Sequence, residues 1–171
     1  MGAQGTGRVT AQVLGRLLDG HGPALVLFAR QWCDCPEDAV QDAVLSLVKM
    51  RRAPNRPLPW LYCAVRNRAI SLSRSDARRR RRETAVGESR PEWFEHSHED
   101  RMDAQQAAEA LRGLPVEQRA VIVARLWGGL TFEEVGQAVG CSSSAAHRRY
   151  EAGLSALRER LGVPCPKSDE S

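Results

Sequence analysis

The residues whose types and spacing carry chemistry are cationic, and they fall in two clusters. Near the C-terminus Ser144, Ala145, His147, Arg148 and Arg149 flank the small apolar Ala146. Guanidinium forks and an imidazole on one helix face can bind phosphates and the guanine edges of a major groove. The second cluster is denser: Lys49 to Arg82 contains twelve Lys or Arg residues and a single acid, Asp76. Within it Trp60 is followed by Arg66, Asn67 and Arg68, and then by the run Arg78 to Arg82 that begins with Arg78 and Arg79. Cations beside an aromatic ring are the ingredients for holding a single strand with unstacked bases. Adjacent like charges repel unless an anion neutralises them, so phosphate contact stands beside a solvated face as the reading of Arg78 to Arg82. Trp60 is read first as a core residue, since tryptophan is usually buried, and second as a base platform.

Other chemistries find less support. Cys33-Asp34-Cys35 and His96-Ser97-His98 would supply four metal ligands, but structural zinc prefers a wider spacing between paired cysteines, and no metal site is expected. None of Cys33, Cys35, Cys63, Cys141 and Cys165 has a His-plus-acid arrangement beside it, and no Gly-rich phosphate loop occurs. No catalytic residue, cofactor or small-molecule substrate is expected, so the chain is read as not an enzyme. The odd cysteine count without a CxxC pair and a start lacking an apolar core point to a reducing cytoplasm. The longest apolar run, Ala24 to Ala29, is far short of the roughly 20 residues a bilayer needs, so no membrane partner is expected.

These clusters need a scaffold. With 42% hydrophobic, 27% charged and only 5% aromatic residues, the 171-residue chain suits helices packed through Leu, Val and Ala, and an all-α fold of two small domains is expected. The net charge of +4 is mild but unevenly placed, because Glu83 to Ala110 holds eight acids against Arg90 and Arg101. That strip reads as a flexible acidic linker over residues 84–101, between a helical domain at 8–83 and another at 102–162, with a disordered tail at 163–171.

In the first domain a helix capped by Thr10 is expected to stop at Gly20-His21-Gly22-Pro23, and a second to run to about Trp32. Asp34-Cys35-Pro36-Glu37-Asp38 should cap and open a third, with Val40, Ala43, Val44 and Leu47 buried. Pro59 should open a fourth that buries Trp60, Leu61, Ala64, Val65 and Leu72 and runs into the arginines. In the second domain Met102 to Arg112 forms one helix, and Pro115 opens another with Val116, Ala120, Val123, Ala124 and Trp127 inward. Thr131-Phe132-Glu133-Glu134 is a capping box for a short helix ending at Gly140. Ser142 then caps a last helix with Ala146, Tyr150, Gly153, Leu157 and Leu161 inward, a helix-turn-helix arrangement.

Leu114-Pro115-Val116-Glu117-Gln118-Arg119, then Leu130 to Gly136, Gly140 and the Arg-rich last helix resemble region 4 of the sigma-70 family, extracytoplasmic-function type. Pro36 to Ala43 and Pro59 to Ile70 resemble region 2 of the same family, and the two stretches follow the family's order. The resemblance implies a factor that binds core RNA polymerase at its clamp helices and flap and directs promoter recognition, DNA melting and transcription initiation. Carried over by position, it implies that Asp38, Gln41 and Asp42 dock on polymerase. Trp60, Arg66, Asn67 and Arg68, joined by Arg78 and Arg79, would face the melted -10 element. Ser144, Ala145, His147, Arg148 and Arg149 would read the -35 element. An anti-sigma factor is a further possible partner. The chain departs from the family pattern in a shorter stretch between Pro36 and Leu47, in Ser71, and in the small run Ser142 to Ala145, which shifts base reading toward His147 and Arg148.

Two other readings fit the residues without the resemblance: a helix-turn-helix regulator that binds duplex without polymerase, and a protein-interaction adaptor. The acidic strip Glu83 to Glu109 has two readings of its own, a solvating linker or a screen that folds over the basic helices.

Overall fold

The computed structural model describes residues 7–82 and 101–162. Most of the expected linker, including His96 and His98, lies outside the described residues, as does the 163–171 tail. Seven helices make up the secondary structure of the described residues, in the order α1 (Ala11–Ala29), α2 (Pro36–Lys49), α3 (Pro57–Arg82), α4 (Arg101–Arg112), α5 (Val116–Leu126), α6 (Phe132–Val139) and α7 (Ser143–Leu161).

Thr10 caps α1 as expected, its hydroxyl accepting from the Val13 amide at 3.3 Å. The expected break at Gly20 to Pro23 is absent, and α1 continues through Pro23 to Ala29. Proline removes one amide donor and disfavours a helix interior. Here the turns after Pro23 bury Ala24, Leu25, Leu27, Phe28 and Ala29, and that packing holds the helix together. Helix α2 begins at Pro36, with Glu37 and Asp38 in its first turn, and its N-cap is Cys35 without a side-chain cap bond. Helix α3 starts two residues ahead of Pro59, at Pro57. Its fully buried residues are Leu61, Tyr62, Val65 and Ala69, while Trp60, Ala64 and Leu72 are only partly buried against them.

The second half follows its sequence signals closely. Helix α5 ends at the two-glycine turn, which leaves Trp127 48% exposed rather than inward. Val121 and Ile122 take the core positions beside Ala120, Val123 and Ala124. Helix α7 crosses α5 at Gly153, where a methyl group would lie 2.7 Å from Ile122 Cδ1. Arg160 and Arg119 close the C-terminal end of α4, donating to the carbonyls of Gly113 at 2.9 Å and Arg112 at 2.8 Å.

The two halves share one apolar core. Helices α1, α2 and α3 pack together, α5, α6 and α7 pack together, and α6 lies on α3 while α5 touches α1. The buried cluster runs without interruption from Leu25, Phe28 and Tyr62 to Ile122, Leu130 and Val135. No local sequence pattern marks this contact between the halves.

Candidate nucleic-acid interface

The helix-turn-helix is assembled from short-range signals. The Thr131 hydroxyl accepts from the Glu134 amide at 3.3 Å, and Glu134 Oε2 accepts in return from the Thr131 amide at 2.8 Å and hydroxyl at 2.9 Å. Gly140 ends α6 in the left-handed conformation at φ 75°, where a side chain would be strained. The Ser142 hydroxyl starts α7 by accepting from the Ala145 amide at 3.2 Å. Between the helices there is no room at Gly136, since a methyl group there would stand 2.7 Å from the Cys141 carbonyl oxygen. This close corner brings the start of α7 directly against α6.

Ala146 faces inward and is fully buried, while Ser144, His147 and Arg148 face solvent and Ala145 and Arg149 lie at the margin. Phe132 organises the base of this face. Its ring meets His147 edge-on at 4.8 Å and Tyr150 at 5.4 Å, and the Arg125 guanidinium covers it at 4.8 Å while donating to the Leu130 carbonyl at 2.6 Å. His147 is thus steered by an aromatic neighbour, while Arg148 projects into solvent. Arg125 and Phe132 support the exposed face of α7, and no residue pattern singled them out for that; their signal was an arginine one turn before the glycine turn and an aromatic directly after the cap.

The second cationic surface lies along α3. Arg66, Asn67, Ile70, Ser71, Arg74 and Arg78 line a groove of about 430 Å³ on one flank of the helix. Arg74 was not singled out by the sequence reading, although its helical spacing from Arg66, Ile70 and Arg78 places it on the same flank. Arg68 turns away from the groove and pairs with Asp42 on α2 at 2.6 Å, so a residue expected on the melting side bonds one expected on the docking side. Arg79 lies 3.8 Å from Asp76. Trp60 is half-buried against the core, while the Arg66 guanidinium stacks over Trp32 at 5.8 Å from its ring centre.

Helix α2 carries the expected docking residues. Asp38 and Gln41 are exposed, and Asp42 is half-buried by its bond to Arg68. The same flank continues into Leu45 and Val48, which are 45% and 41% exposed although apolar.

The cysteines favour a quiet chemistry. Burial pushes the Cys33 thiol up to about 12, and burial followed by the charges of Asp76 and Asp38 raises Cys35. Cys63 is raised as well, by burial. Neutral thiols are poor nucleophiles and poor metal ligands.

Comparisons with known proteins agree with this geometry. The sigma-70 region 2 family model matches residues 17–81, and the sigma-70 region 4 model matches residues 110–159. The chain is 31% identical over 133 residues to the RNA polymerase sigma factor CarQ of Myxococcus xanthus, a match covering 74% of each protein. Among solved structures it resembles the sigma factor RpoE of Bartonella quintana in complex with the anti-sigma factor NepR. That likeness has a TM-score of 0.69 and 24% identity, over 91% of this chain and all of that one. It also resembles CnrH in complex with the cytosolic domain of CnrY, with a TM-score of 0.58 and 22% identity over 91% of this chain and 92% of the other. The two family matches, in order and over surfaces of matching chemistry, show that the chain belongs to the sigma-70 family as an extracytoplasmic-function sigma factor, directing RNA polymerase to initiate transcription at promoters.

Proposed function

We propose that the two halves divide promoter recognition between duplex reading by α7 and strand holding by α3. The observation that carries this reading is the exposed row Ser144, His147 and Arg148 at the projecting end of α7, on the same chain as the cationic groove of α3. At α7, Arg148 has the geometry for a bidentate bond to guanine, and Arg149 at the margin is placed for phosphate. Ser144 and Ala145 are small enough to let the helix end approach the base edges closely. At α3, Arg66, Arg74 and Arg78 track the backbone of one strand while Asn67 offers an amide to an unstacked base. Trp60, Arg68 and Arg79 flank this surface, Arg68 through its pair with Asp42. Melting in this scheme draws on binding energy for exposed bases and requires no bond-breaking step, so the factor itself is read as non-enzymatic.

Polymerase docking is assigned to the outer flank of α2. Asp38, Gln41, Leu45 and Val48 recur at helical spacing and make one stripe, polar at its start and apolar at its end. An interface core needs apolar area with polar groups at its rim, and this stripe supplies both. An anti-sigma factor, as bound by the Bartonella protein, is the regulator this reading anticipates. A cytoplasmic site of action follows from that role.

The test is reconstitution. Purified chain with core polymerase should give promoter-dependent transcripts, Leu45→Asp should abolish them by blocking assembly, and Arg148→Ala should lower them while assembly persists. Equal activity of the two variants and the unaltered protein would rule this assignment out.

A further inference from the structure

We infer that the base-reading face of α7 extends one turn past Arg148 to Glu151, and that the Glu151 carboxylate accepts a hydrogen bond from the exocyclic amino group of a cytosine in the promoter duplex. The inference rests on the reading of α7 proposed above and deepens it by naming one base that the helix selects.

Spacing and packing place Glu151 on that face. Ser144, His147, Arg148 and Glu151 stand at the i, i+3, i+4 and i+7 positions of one helix side, and all four are exposed. From Ser144 to Glu151 the row spans about 10 Å along the helix axis, within the roughly 12 Å width of a major groove. On the opposite side of α7, Ala146 and Gly153 are buried, Gly153 against Ile122 of α5. Phe132 of α6 meets both His147 and Tyr150, so α7 is held against rotation about its axis from two helices. In that rotation Glu151 points to the same side as Arg148.

The charge of Glu151 is what calls for an explanation. It is the single acid between Glu134 and Glu159, on a face that is otherwise neutral or cationic. Phosphates repel a carboxylate, so an acid carried into a DNA groove weakens binding unless a donor on a base meets it. His147 and Arg148, one turn earlier at i−4 and i−3, are the residues placed to neutralise it. Neither forms an ion pair with it among the described residues. The His147 ring is engaged by Phe132 instead, and the Arg125 guanidinium covers that phenyl ring at 4.8 Å. The Glu151 carboxylate thus stands in the row with its acceptor sites open.

An ionised carboxylate accepts and never donates, and this selects the base. In the major groove cytosine presents one polar group, the N4 amino donor. Adenine presents an amino group too, but its N7 acceptor lies beside it and opposes the second carboxylate oxygen. Guanine offers the acceptors N7 and O6, and thymine offers O4 and a methyl group. Cytosine is therefore the base whose edge matches Glu151 without placing an acceptor against it. Arg148 has the converse preference, for guanine, so the two side chains select different positions of one element.

Selection from a promoter library randomised across the -35 region, with the full chain assembled on core polymerase, tests this. The unaltered protein should enrich cytosine at one position by about tenfold. Glu151→Ala should lose that enrichment and keep the preferences at the other positions. Glu151→Gln should change it to adenine, because a glutamine amide pairs with adenine N6 and N7 together. Both variants should keep the denaturation midpoint of the unaltered protein, since Glu151 is exposed. Arg148→Ala is the reference and should relax a different position. Uniformly tighter binding by both Glu151 variants with every base preference unchanged would mark a merely repulsive charge and overturn the inference, as would an unaltered protein that enriches no cytosine. A changed preference for Arg148→Ala alone confines the failure to Glu151. Unchanged preferences in all three variants would sink the reading of α7 as well.

Discussion

The two cationic surfaces have the same raw chemistry but differ in how they are presented. The α7 surface is built by neighbours in sequence: a capping box, a left-handed glycine, a serine cap and one glycine at the crossing. Its outward residues Ser144, His147 and Arg148 are exposed to solvent. The α3 surface is built on a long helix whose inner face joins the core of its own half and whose flank is touched by the other half. Arg66 lies under the Gly140 corner, while Arg74 and Arg78 remain exposed. The residues proposed to read duplex are thus open to solvent in the free chain, while the surface proposed to hold a strand is partly covered at Arg66.

Substitutions can sharpen or break that contrast. The largest effect is expected at Gly136→Ala, where the new methyl group meets the backbone of the turn, which cannot move aside as a side chain would. Overpacking of this kind costs about 1–3 kcal/mol, seen as a lower denaturation midpoint and as loss of duplex binding. Arg148→Ala should leave stability unchanged and cost about 1–3 kcal/mol in duplex binding, with relaxed base preference at one promoter position in a competition assay. Arg74→Ala should act on the other surface alone. Single-strand affinity would fall for all sequences, and the slope of log affinity against log salt would shrink by about 0.7, while duplex binding stays the same. The smallest change is expected for Arg68→Ala, because its pair with Asp42 is half exposed and such pairs contribute about 0.2–1 kcal/mol. A marked loss of polymerase affinity in that variant would mean that Asp42 needs Arg68 to hold its docking orientation.

The contrast between the surfaces also explains what the sequence reveals. Helix α6, its cap, its terminating glycine and the serine cap of α7 were legible because each is decided within four residues. Ser144, His147 and Arg148 follow from helical spacing once Ala146 is placed inside. The expected break at Gly20 to Pro23 failed because local preference there opposes tertiary burial, and the burial of Leu25 and Phe28 prevails. Trp127 was expected inside because it continues the α5 spacing, but Gly128 and Gly129 end the helix and turn it outward. Tyr62 falls within the stretch Pro59 to Ile70 that carries the family resemblance, and it is a fully buried aromatic, meeting Phe28 edge-on at 4.8 Å. Its place and the ion pair of Arg56 with Glu134 depend on contact between distant segments, which no local period encodes.

The central claim is that α7 and α3 occupy separate promoter elements within one polymerase complex. Photo-crosslinkers placed at position 148 and at position 74 of the full chain, assembled with core polymerase on promoter DNA, test it directly. The account predicts that, with core polymerase present, the probe at 148 marks duplex DNA near -35 and the probe at 74 marks an unpaired strand near -10, the latter only when core polymerase is present. Crosslinks from both positions to the same stretch of duplex, with or without polymerase, would contradict it.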